Sequence, residues 1–151
     1  MSKLLFICIF FACNLQTSAQ QKPVPTTLTP PQLNSFWSTT KGGSLPLESV
    51  LNIVDSAVWV IDVKKNRYNI SRFIILYKSK DRYEDEESGE IKTRFNTNSV
   101  QIRNSPILTE QWRKFLYENI KSGDELIITD LIVKDKQGNF FRAPDVKLVV
   151  N

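Results

Sequence analysis

Between Ala57 and Val150 the sequence carries four long runs of β-branched, aliphatic and aromatic residues, each bounded by short polar turns. No other feature narrows the choice of fold so far. Ala57–Val63 (AVWVIDV) and Ser71–Lys78 (SRFIILYK) are apolar on both faces. Such runs fit strands in a sheet covered on both sides, or in a sandwich whose strands twist between layers. Lys64-Lys65-Asn66-Arg67 turns the first run into the second. Asp81–Glu90 (DRYEDEESGE) reads as a polar, acidic hairpin region. Ile91, Thr93 and Phe95 then alternate with Lys92, Arg94 and Asn96, and Val100 and Ile102 continue the period. That alternation predicts a half-exposed strand paired with the second run. Glu125–Lys134 (ELIITDLIVK) predicts a further long strand, followed by a turn over Asp135–Asn139 in which Gly138 can take a positive φ. The return, Phe140–Val150, contains Pro144, which has no N–H to donate and so breaks the strand or sets it at an edge. Val146–Val150 is thereby the candidate edge for accepting a strand from another chain.

One segment has helical rather than strand periodicity. Thr109 is a good N-cap, and Glu110 lies in the first turn, where the helix dipole favours a carboxylate. Trp112, Phe115, Leu116 and Ile120 form one apolar stripe, read as core, and Gly123 sits where a left-handed C′ residue is wanted. The expected architecture is mainly β, with one inserted helix over about residues 109–122.

The N-terminal third reads differently. Lys3 precedes an apolar stretch, Leu4–Ala12, that is too short to span a bilayer, which needs about 20 residues. With Thr17-Ser18-Ala19 behind it, residues 1–19 read as a secretory signal peptide cut after Ala19. Phe10-Phe11-Ala12-Cys13 is a looser lipobox, making Cys13 a possible lipidation site and the protein a lipid-anchored one; cleavage after Ala19 is the favoured reading. Residues 20–46 hold five of the seven prolines, with Thr26-Thr27 and Gly42-Gly43, and read as a linker. Phe36 and Trp37 interrupt it, as a segment packed on the domain or, less readily, as a sticky peptide for a partner. The folded domain is expected over residues 47–151.

Composition bears mainly on chemistry. The chain has no His, which removes the commonest general base and the commonest transition-metal ligand. Cleavage after Ala19 would also remove Cys8, Cys13 and Met1, leaving no thiol nucleophile and no conventional zinc site. The formal net charge of +4 is small and scattered, so nucleic acid is not an expected partner. Lys64, Lys65, Arg67 and Arg72 cluster around one turn and could meet phosphates or a lipopolysaccharide surface, but a solvated loop is the plainer reading. Glu84-Asp85-Glu86-Glu87 lacks the ligand spacing of a calcium loop and reads as a solvated hairpin tip. Asp124, Glu125 and Asp130 are the candidates for a glycosidase-like carboxylate pair, although Asp124 beside Gly123 more naturally serves the turn. No catalytic, cofactor or metal residue is assigned.

The C-terminal half follows a recognisable order. Ile107-Leu108-Thr109-Glu110-Gln111 opens the helix, and Ser122-Gly123-Asp124 leads into Glu125–Ile128. The strand runs through Asp130–Val133 to Lys136-Gln137-Gly138-Asn139, and Arg142 and Pro144 precede a terminal Val-Lys-Leu-Val-Val. This series resembles the C-terminal domain of GldM/PorM, the gliding-motility and type IX secretion proteins of Bacteroidetes. The resemblance spans roughly residues 57–151 and is better over the last part. It implies an Ig-like β-sandwich with an inserted helix, periplasmic or outer-membrane associated, acting as a non-catalytic module that binds an envelope protein. The N-terminal membrane helix and additional periplasmic domains of that family have no counterpart before this domain, so its motor-coupled role is not implied. The alternatives are a small envelope hydrolase using carboxylates and a surface lipoprotein that binds glycan or lipid. Asp55-Ser56-Ala57 resembles the short O-glycosylation acceptor of exported Bacteroidetes proteins, which makes Ser56 a candidate modification site.

Overall fold

The computed structural model describes residues 30–151. Its elements run β1 (Leu33–Trp37), β2 (Gly43–Leu45), α1 (Leu47–Val54), β3 (Val58–Asp62), β4 (Arg67–Glu84), β5 (Ile91–Arg103), α2 (Glu110–Asn119), β6 (Glu125–Lys134), β7 (Phe140–Arg142) and β8 (Val146–Val150). The fold is mainly β. The strands join in the order β1-β3-β4-β6-β8-β2, with β5 added to β4 and β7 added to β6. The sheet is strongly curled, and the curl brings β1 against β8.

Irregularities in the two central strands accompany that curl. Ser71 is an extra residue in β4, and Asp130 and Leu131 together stand opposite Phe73, with Asp130 at a φ of 48°. Bulges of this kind bend a strand and increase its local twist. The Arg72 guanidinium meets the Asp130 carboxylate at 3.0 Å across the irregular stretch. Inside the curl, Phe73, Ile75 and Tyr77 of β4 meet Leu126, Ile128, Leu131 and Val133 of β6, and Val146, Leu148 and Val150 of β8 extend the layer. Trp37, Val58 and Val60 close it from β1 and β3.

The later part of the expected linker belongs to the folded structure. Residues 33–45, placed in the 20–46 linker by their Pro, Thr and Gly content, form β1 and β2. Trp37 is fully buried, and its indole N–H donates to the Ser56 carbonyl at 3.2 Å. Gly42 permits the close approach of β2 to β8: at its φ of 126°, a β-carbon would lie 2.6 Å from the Lys147 carbonyl oxygen. A second helix, α1, also stands where none was expected. It buries Val50, Ile53 and Val54 and packs against α2 and β8.

Helix α2 begins as read, with the Thr109 hydroxyl accepting from the Trp112 N–H at 3.4 Å. It ends earlier, at Asn119. Ile120 is already extended, and Gly123 lies in the turn beyond, donating its N–H to Val150. The helix stops because its end is held by tertiary partners: the Tyr77 hydroxyl lies 2.8 Å from the Asn119 carbonyl, and the Lys121 N–H donates to Asp124.

The return strand breaks at Pro144 into β7 and β8. The expectation that Val146–Val150 is a free edge fails: β8 pairs with β6 on one side and with β2 on the other. Among the described residues no helix is long and apolar enough to cross a membrane. The proposed signal peptide, the Ala19 cleavage site and Cys13 lie outside the described residues.

Candidate interaction surface

Strand β4 outruns the sheet. Its last residue paired with β6 is Lys78, opposite Glu125, while its pairing with β5 continues to Glu84 and Ile91. Residues 79–84 and 91–96 therefore form a two-stranded arm about 20 Å long at the usual rise per residue. A bare hairpin is marginal in water, so the anchors at its root matter. The Lys80 N–H donates to Asp124 at 2.8 Å, and the Lys121 ammonium meets Asp81 at 2.9 Å. The hydrogen bond from Lys121, with its charge, holds the Asp81 carboxyl below its ordinary value. At the tip, the Asp85 carboxylate accepts from the Glu87 and Ser88 N–H groups and pairs with Lys92. Asp85 thus organises the turn, as expected for a solvated hairpin tip.

The two faces of the arm differ. Tyr83 lies on one face with Arg94, whose guanidinium stands 6.0 Å from the ring centroid. Ile91 and Phe95 lie on the other and are 74% and 56% exposed. Phe95 leads onto the outer face of the sheet, where half-buried Ile74, Leu76, Ile127 and Val149 succeed one another across neighbouring strands. Among the described residues, the edge of β5 away from β4 carries no strand. Sequence reading put the exposed strand in the right place but the free edge on β8. The missed signal was the length of the register, since the polar stretch DRYE continues the pleat past the last apolar residue.

The basic cluster takes a form that the sequence already contained. Asp62-Val63-Lys64-Lys65-Asn66 and Asp135-Lys136-Gln137-Gly138-Asn139 are two copies of one turn. In each, the first N–H donates to the Asn carbonyl and the fourth N–H to the Asp carbonyl, with Lys65 and Gly138 at φ of 65° and 96°. In each, the Asp carboxylate accepts from the Asn backbone and side-chain amides at 2.8–2.9 Å. Asn66 above all holds the Asp62 carboxyl below its ordinary value. For Asp135, burial pushes upward, but the amides of Asn139, Gln137 and Gly138 outweigh it and the carboxyl is again lowered. Because Asn69 pairs with Lys134, both turns lie at the same end of the sheet, with a notch of about 200 Å³ between them. Tyr68 and Phe141 meet edge-on below it, 6.1 Å apart. The spacing Asp-x-x-x-Asn, twice, was the readable sign.

Beside this end, Phe36 and Trp59 stack at 4.2 Å, with Lys41 near the first ring and Arg67 near the second. The Trp59 indole N–H donates to the Ser38 carbonyl. This aromatic pair shields the outer side of β1 and β3.

The three candidate catalytic carboxylates are not brought together. Asp124 is fully buried and accepts from the Tyr77 hydroxyl at 2.7 Å, the Lys80 N–H at 2.8 Å and the Lys121 N–H at 2.9 Å. Burial, with the neighbouring Asp124 carboxylate, pushes the Tyr77 hydroxyl far above its ordinary value. Glu125 points to the opposite face, where it meets Lys147 at 2.7 Å, and Asp130 meets Arg72. Along β6, Glu125 and Asp130 stand about 16 Å apart at the strand rise, beyond the ~5–9.5 Å of a glycosidase pair. No group of three or more metal-ligating side chains occurs among the described residues. Ser56 lies between α1 and β3, partly exposed, its hydroxyl 3.3 Å from the Asn52 carbonyl. Its neighbour Asp55 is held by Tyr117 and Arg113, which together keep that carboxyl low. No protein-family model matches the sequence, and no curated protein matches it.

Proposed function

We propose that this chain is an exported, non-catalytic interaction module of the cell envelope, an Ig-like β-sandwich working in the periplasm or at the outer membrane. Its partner is another envelope protein, engaged along the β4–β5 arm. The observation that carries this reading is the arm itself, with a strand edge that is unpaired among the described residues beside exposed Ile91 and Phe95. An unpaired edge offers main-chain hydrogen bonds to an incoming strand, and apolar side chains beside it offer selectivity. The likeness of roughly residues 57–151, better over the last part, to the GldM/PorM C-terminal domain favours a gliding or type IX secretion-like assembly as the setting. That is an analogy of sequence pattern, and fold likeness alone does not fix function.

The test compares the wild-type protein with two variants in capture from envelope extract. One carries Ile91→Ser and Phe95→Ser. In the other, residues 82–93 are replaced by an Asn-Gly turn joining Asp81 to Arg94. A specific envelope protein retained by the wild type and lost by both variants, with unfolding midpoints unchanged, is the expected result. Equal retention by all three forms refutes the arm as the binding site. Turnover of a glycan or peptide that disappears in Asp130→Asn or Glu125→Gln would move the reading to a hydrolase.

A further inference from the structure

We infer that the end of the molecule formed by the two Asp-x-x-x-Asn turns is a docking surface for an anionic lipid bilayer. This inference is independent of the arm, which lies at the other end of β4. Five cations crowd the turns and the strand residues beside them: Lys64, Lys65, Arg67, Lys134 and Lys136, all exposed. None of them forms an ion pair among the described residues. The two acids of the turns, Asp62 and Asp135, spend their oxygens on the turns' own amides. Counted over residues 30–151, this end carries five cations against two acids, while the remainder carries 13 against 14. The whole positive excess of the described chain therefore sits here.

Charge alone would suit any polyanion. The choice of a bilayer rests on what stands among the lysines. Val63, within the first turn, and Phe140, the strand residue directly after the second, are 63% and 60% exposed. The Lys134 ammonium lies 5.6 Å from the Phe140 ring centroid. Apolar side chains set between lysines match a headgroup layer, which is anionic outside and apolar a few ångströms in. The far end of the molecule adds orientation. β4 runs 18 residues, up to about 60 Å of strand, from these turns to the acidic tip at Glu84, Asp85, Glu86, Glu87 and Glu90. An anionic surface attracts one end and repels the other, so the arm faces away from the membrane.

The experiment uses the full chain in a vesicle flotation assay. Pure phosphatidylcholine vesicles are compared with vesicles containing about one third phosphatidylglycerol, at low and at physiological salt. Three forms are added to the wild type. A turn variant carries Lys64→Glu, Lys65→Glu and Lys136→Glu. A control of equal charge change carries Arg82→Glu, Arg103→Glu and Lys114→Glu. A third carries Val63→Ser and Phe140→Ser. The binding gained by adding anionic lipid should fall at least about tenfold in the turn variant and less than about threefold in the control. It should also fall severalfold in the serine variant. Circular dichroism and urea midpoints confirm that each form is folded. Equal loss in the turn variant and the control, or no gain from anionic lipid, overturns the inference. So does binding to a DNA duplex as tight as to vesicles together with no effect of the serine changes, which would make this end a general polyanion site.

Discussion

Asp124→Asn should destabilise the protein by about 2–4 kcal/mol without altering any chemistry. The buried carboxylate accepts three hydrogen bonds: Oδ2 from the Tyr77 hydroxyl and the Lys121 N–H, Oδ1 from the Lys80 N–H. Bonds to a charged acceptor contribute roughly 1.5–3 kcal/mol each, and those to a neutral one about 1 kcal/mol. Asparagine has one oxygen. Placed at the Oδ2 position it keeps two bonds at neutral strength and turns its NH₂ toward the Lys80 N–H. One partly buried donor then goes unsatisfied, at about 1–3 kcal/mol, and the other two bonds weaken by about half a kcal/mol each. A domain of this size has about 5–15 kcal/mol in hand. With a urea slope near 1.5 kcal/mol per molar, the midpoint should drop by about 2 M. Urea titration followed by tryptophan emission measures it, and Tyr77→Phe, which removes one donor, should shift the midpoint less. A shift equivalent to under 1 kcal/mol in Asp124→Asn would show that the carboxylate does not tie β4, α2 and β6 together. It would also reopen Asp124 as a reactive group.

The same assay decides three further expectations, and a pH series a fourth. Trp37→Ala should cost about 3–5 kcal/mol, since the side chain is fully buried, and deletion of residues 30–45 should abolish the cooperative transition. Trp112→Ala should cost less, about 1–3 kcal/mol, because the ring is only partly buried beside Phe115; a loss as large as that of Trp37→Ala would contradict this placement. The carboxyls of Asp62, Asp81 and Asp85 lie below the ordinary 3.8 in the folded protein, so the unfolded chain binds protons first as acid is added. Their contribution is complete well above pH 4 and is lost as pH falls through the lowered folded values. Melting temperatures from pH 6 to pH 2 should decline on that limb, and less steeply in Asp62→Asn, whereas identical limbs would refute the assignment.

Much of the sheet was legible because its strands are long apolar runs whose period survives in the sequence. Ala57–Val63 contains β3, Ser71–Lys78 is the middle of the longer β4, Glu125–Lys134 is β6, and the Ile91–Ile102 alternation falls on β5. The failures have separate physical causes. β1 and β2 were hidden because Pro, Thr and Gly dominate their surroundings, although the burial of Trp37 overrides that composition. α1 is eight residues long and rich in Leu, Val and Ile, too short for a helical period to stand apart from a buried strand. The end of α2 is set by Tyr77 and Asp124, which no local pattern announces. Pro144 does break the return strand, but the broken piece docks between two others, a fact of topology rather than of sequence. The arm was misjudged because charged residues can continue a ladder without burying anything, and the likeness of the twin turns was missed because each was read alone, one for its lysines and the other for Gly138.

The pairing of β2 with β8 sets an order of events. Among the described residues β2 has no sheet partner except β8, and β8 is the last of these eight strands to leave the ribosome or a translocation channel. Gly43 pairs with Leu148, more than a hundred residues later, and so long a separation closes slowly. Until Val146–Val150 arrives, β2 has no ladder to join, α1 has no β8 to lie on, and the edge of β6 from Glu125 to Ile128 lacks its partner strand. Assembly is therefore a late closure in which early and late segments are secured in one step. An emerging chain stays open, and in need of protection from aggregation, until its final strand is available.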